Sequence, residues 1–112
     1  MCNCKNITPQ SEECYAQMIV VDIPAHMSKY RADRAKNNLS TSICIDPCII
    51  DEIKHLWSKG VITYGCCCGH NSGDSFVNVD ESSINKMLKL GYIANHPNKN
   101  RKDTYKLKSV DN

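Results

Sequence analysis

At 112 residues, with 41% hydrophobic residues and a formal net charge of +2, the chain can build one domain around one modest core, and not two. The net charge is unevenly placed and decides nothing alone, and no apolar run approaches the roughly 20 residues that a membrane-spanning helix needs. Eight cysteines behind an amino terminus without an apolar signal-peptide core point to a reducing cytosol, where they are expected to be free thiols or thiolate ligands.

In chain order, residues 1–40 read as an irregular N-terminal extension bearing Cys2, Cys4 and Cys14, and residues 41–112 as the core. Within the extension, Met18 to Val21 suits a strand, and the Lys-, Arg- and Asn-rich segment 29–38 suits a loop or a short helix. Ser42 to Ile45 predicts a short strand. Asp46 and Pro47 then supply an N-cap and a first-turn proline for a helix whose Ile49, Ile53, Leu56 and Trp57 share one face. Asp51 and Glu52 early, Lys54 and Lys59 late, and Gly60 at the end agree with that helix.

Val61 to Tyr64 predicts a strand, the cysteine run with residues 71–74 a loop, and Phe76 to Val79 the returning strand of a hairpin. Asp80 is expected to cap a second helix that buries Ile84, Met87 and Leu88 and ends at Gly91. From Thr104 to Val110, Tyr105, Leu107 and Ser109 alternate with Lys106 and Lys108, the pattern of a half-buried strand.

The order from residue 41 is β-α-β-β-α-β, which predicts an α+β protein with a ferredoxin-like, four-stranded core. In that topology Cys44, Cys48, Cys66, Cys67, Cys68 and His70 share one end of the sheet. The loop 91–103, with His96, Lys99, Arg101 and Lys102, is expected to return to the same end.

Gly65-Cys66-Cys67-Cys68-Gly69-His70 sets three thiols and an imidazole side by side, a donor set suited to tetrahedral Zn2+. Cys48, Cys67, Cys68 and His70 are the expected ligands. Cys48, at the head of a helix, would have its thiolate favoured by the free N–H groups there. His96, Cys2, Cys4 and Cys14 are further candidates, as substitutes or in a second site. His26 and His55 are read as ordinary loop and helix-end residues, and Trp57, Tyr64 and Tyr105 as packing residues.

The basic stretch from residue 97 carries Lys99, Arg101, Lys102, Lys106 and Lys108 against Asp103 and Asp111, so Lys99, Arg101 and Lys102 are candidate anion-binding residues. They would suit a nucleotide or nucleic acid. A cysteine enzyme, with Cys67 or Cys68 beside His70, is a third reading, although no phosphate loop, dinucleotide fingerprint or hydrolase elbow accompanies it.

Ile45-Asp46-Pro47-Cys48-Ile49, Leu56-Trp57-Ser58-Lys59-Gly60-Val61 and Gly65 to His70 resemble a group of short, cysteine-rich phage and prophage proteins with a Cys-Cys-Gly-His motif. Leu90-Gly91-Tyr92, His96-Pro97 and Arg101 to Thr104 are similar to members of that group as well. Cys48, Cys67, Cys68 and His70 match the pattern, whereas the places of Cys44 and Cys66 need not be cysteine. The resemblance implies a phage-encoded accessory protein that binds a host or phage protein in the bacterial cytoplasm, and it implies no reaction.

Overall fold

The computed structural model describes residues 19–68 and 75–108. In chain order they form β1 (Ile19–Asp22), a 3-10 turn (Ala25–Met27), α1 (Ser28–Lys36), β2 (Ser42–Ile45) and α2 (Ile50–Ser58). Next come β3 (Thr63–Cys67), β4 (Phe76–Val79), a 3-10 turn (Glu81–Ser83), α3 (Ile84–Lys89) and β5 (Thr104–Tyr105). Among these residues no helix is long and apolar enough to cross a membrane.

Helix α2 forms the centre of the core because Ile50, Ile53 and Leu56 recur at helical spacing and are all buried. Its end is a Schellman motif. Gly60 takes φ +81°, the N–H of Val61 bonds to the carbonyl of Leu56, and that of Gly60 to the carbonyl of Trp57. Helix α3 stops in the same way, with Gly91 at φ +86° and Tyr92 N–H on the Met87 carbonyl. In both motifs the residue after the glycine, Val61 or Tyr92, is buried, so each stop also seeds packing.

The α+β class and the order β-α-β-β-α-β from residue 42 hold, but the strands pair differently from a single four-stranded sheet. β2 pairs antiparallel with β1, in the register Val20 to Cys44, and β3, β4 and β5 make a separate antiparallel sheet with β4 central. Residues 19–40 are accordingly part of the fold. Segment 28–36 is a helix, Ile23 and Met27 are buried, His26 Nε2 lies 2.8 Å from the Val61 carbonyl, and Tyr30 packs edge-on against Tyr64 at 5.1 Å.

Helices α2 and α3 cover one face of the three-stranded sheet, where Val77, Val79 and Tyr105 join Ile53, Leu56 and Met87 in the core. Leu88, expected inside, is half exposed. Met87 is buried as expected, and the 3-10 turn at Glu81–Ser83, which advances the chain by a wider angle per residue than an α-helix, turns Ser83 inward as well. Ser83 is satisfied there, its Oγ accepting from Ile62 N–H at 2.9 Å. Asp80 caps the turn as expected, through Ser82 N–H.

Glu52 fastens α2 to the end of the chain: its Oε2 accepts from the Tyr92 hydroxyl and from Lys108 N–H. The Lys108 ammonium lies 4.3 Å from the Tyr92 ring centroid and donates to the Leu90 carbonyl. The alternation expected after Thr104 is visible in buried Tyr105 and Leu107 against less buried Lys106 and exposed Lys108; among the described residues the strand spans Thr104–Tyr105, and Ser109 and Val110 lie outside them.

Candidate metal centre

One buried hydrogen bond joins two of the chain segments that carry thiols. Asp46, 3% exposed, accepts the Cys68 backbone N–H on Oδ2 at 3.0 Å, which ties the β2–α2 junction to the end of β3. The sequence assigns this carboxylate to a helix cap, and the structure corrects that. Residues 47–49 form a turn, closed by Ile49 N–H on the Asp46 carbonyl, and α2 starts only at Ile50, with no side-chain cap. Cys48 thus lies before the N-cap, so the thiolate-favouring first helical turn does not include it.

Part of the cysteine run is strand, not loop. β3 extends through Cys67, and its register against β4 shifts between Thr63 and Cys66: Thr63 faces Val79 and Cys66 faces Val77, which gives β3 one extra residue. The bulge decides where each thiol points. Cys66 shares the core face with Val77, and Cys67 lies opposite half-buried Phe76 on the other face. Cys68, 2% exposed, belongs to the core, and Cys48 packs against it. Cys44 is exposed on β2, where it lines, with Cys66, Tyr64 and Arg34, a 460 Å3 groove between the two sheets.

Burial pushes the Cys66 thiol up to about 12, with the Asp46 charge and Cys67 adding to it. Because the folded state favours the neutral thiol, this contribution to stability is intact below the ordinary thiol range near 9 and is lost as pH rises towards about 12. At pH 8 the Cys66 thiolate is therefore much scarcer than that of a free cysteine. Iodoacetamide labelling followed by mass spectrometry should modify exposed Cys44 well before Cys66 in the metal-free protein. Equal rates would show that Cys66 is neither buried nor held neutral.

Among the described residues no three His, Cys, Asp or Glu side chains converge on one point, so Cys48, Cys67 and Cys68 do not by themselves form a metal centre. His70, Cys2, Cys4 and Cys14 lie outside the described residues. For the thiol-enzyme reading, Cys68 is too buried to meet a substrate as it stands, and Cys67 is half-buried at the end of β3.

The basic loop lies at the opposite end of the sheet from the thiols, contrary to the expectation of a shared end. Asp103 accepts from Val79 N–H at 2.8 Å, at the foot of β4, whereas Cys67 pairs with Phe76 about 10 Å along the strand. The cause is an additional bridge. Ala94 pairs antiparallel with Tyr105 and Asn95 N–H donates to the Thr104 carbonyl, so the chain descends beside β5 before β5 rises antiparallel to β4. His96 follows Asn95 at that foot, its Nδ1 accepting from Asn98 N–H. Arg101 is paired with Asp103, whose carboxyl it holds below the usual range, while Lys99 and Lys102 are exposed.

Comparison with protein-family models, with curated proteins and with solved structures returned no match.

Proposed function

We propose that the chain is a zinc-binding accessory protein of phage or prophage type, whose thiol-bearing end meets a host or phage protein. The observation that carries this reading is the Asp46 to Cys68 bond, which joins the segment of Cys48 to the segment of Cys66, Cys67 and Cys68 at one end of the sheet. Cys48 and Cys68, packed on the same core, are the first two ligands; Cys67 and His70 complete the set that the sequence motif supplies. In small domains with a structural zinc the site commonly forms as the metal binds, and the same coupling is expected here. Zinc would supply structure here: it links the β2–α2 junction to the hairpin and leaves a fixed surface for the partner.

Protein purified without added metal should contain about one zinc per chain, and chelation should lower its melting temperature. Cobalt substitution should give thiolate charge-transfer bands. Cys48→Ser, Cys68→Ser and His70→Ala should each reduce metal content, and exposed Cys44→Ser should not. Metal-free protein with an unchanged melting curve in chelator would remove the proposal.

A further inference from the structure

The open face of the three-stranded sheet carries a groove that neither the core nor the thiols account for. It measures 460 Å3 and is lined by Ser75, Phe76, Asn78, Asn95, His96 and Thr104. Phe76, the chain's single phenylalanine, stands half-buried on the central strand β4, on the face away from Val77 and Val79. Among the described residues this ring does not belong to the core cluster on the other face of the sheet, which leaves it as a platform in the groove.

The polar groups around it are oriented. Asn78 Oδ1 accepts from Thr104 Oγ1 at 2.8 Å, so the amide presents its donor end, Nδ2, which rests beside Gly65 of the bulge. A Cβ at Gly65 would come within 3.4 Å of that nitrogen. His96 has Nδ1 occupied by Asn98 N–H, which places the ring proton of the neutral form on Nε2 as a second donor. The groove is rimmed by the loop that carries exposed Lys99 and Lys102, shaped by Asn100 N–H on Asn98 Oδ1 and Arg101 N–H on the Asn98 carbonyl.

We infer that this face binds single-stranded nucleic acid, with one base stacked on Phe76, its edge met by Asn78 and His96, and the adjoining phosphates met by Lys99 and Lys102. The chemistry is additive. A ring on a sheet face stacks any base, fixed donors read base acceptors, and flexible lysines neutralise phosphates. The cations of this site sit at the far end of β4 from the thiols, whereas Phe76 neighbours Cys67 across the strands, so the lysines separate this inference from the zinc proposal.

Fluorescence anisotropy with a short labelled oligothymidylate and its oligouridylate counterpart at low salt tests this. The parent should bind both, Phe76→Ala should weaken binding by about tenfold, and Phe76→Tyr, which keeps the ring, should bind like the parent. Lys99→Glu with Lys102→Glu should weaken binding and flatten the logarithmic salt dependence by about 1.4, the loss of two single-strand phosphate contacts. Metal content should be unchanged in the lysine double variant, whose charges lie at the far end of β4 from the thiols. If Phe76→Ala melts early, His96→Ala on the loop carries the same expectation of weaker binding. The inference is overturned by no binding to either oligonucleotide at low salt, by equal affinity for a duplex, or by undiminished binding in a folded Phe76→Ala variant.

Discussion

Leu56→Ala is expected to remove about 3 kcal/mol of stability, read as a lower urea midpoint with an unchanged slope. Leu56 is wholly buried on α2, between the packing from Ile53 and the Schellman stop at Gly60, and its carbonyl accepts the Val61 N–H that closes the stop. Truncation removes side-chain contacts from the centre of a small core whose neighbours are held by helix and sheet, so the site cannot collapse to fill the void. Val61→Ala, losing less volume one turn away, should cost less. A Leu56→Ala midpoint indistinguishable from the parent's would mean that α2 is not the centre of the core.

Most of this core is legible in the sequence because α2 declares itself locally. Isoleucine and leucine at helical spacing, acids ahead of them and Gly60 after them all favour the same element, and the left-handed φ of Gly60 is what a glycine stop supplies. Asp80 and Gly91 are legible for the same reason. The partner of β2 is not. Pairing Val20 with Cys44 is a contact between distant residues, and Ile19 to Val21, though apolar enough for a strand, contains nothing that says which strand it joins.

The thiol end shows the same division. The concentration of cysteines is plain in the sequence, but their directions depend on a bulge that becomes visible only when β3 and β4 are counted against each other. One extra residue sends Cys66 inward beside Val77 and leaves Cys67 opposite Phe76. The distance between the basic loop and the thiols has a similar origin, since the Ala94 to Tyr105 bridge reverses the chain where the element order alone would have carried it to the other end. Asp46-Pro47 reads as a cap because the same two residues serve equally well in a turn, and only the position of Cys68 decides between them.

That choice gives Asp46 a measurable effect. Asp46→Ala should destabilise the protein by about 1–3 kcal/mol, because the Cys68 N–H would be left in a buried site without its acceptor. Asp46→Asn retains an oxygen able to accept from that N–H and should recover much of the loss, whereas an exposed capping residue would show a smaller difference between the two variants. The two substitutions also share a consequence for Cys66. Burial is the main reason its thiol is held protonated and the Asp46 charge is the next, so removing the charge should lower the thiol pKa part of the way while leaving it above the ordinary range. Metal-free Asp46→Asn should therefore alkylate at Cys66 faster than the parent at pH 8, with a melting curve close to the parent's. Asp46→Ala should alkylate faster and melt earlier. Unchanged Cys66 reactivity in both variants, with no loss of stability in Asp46→Ala, would dissolve the link between the β2–α2 junction and the end of β3, and with it the observation that carries the zinc proposal.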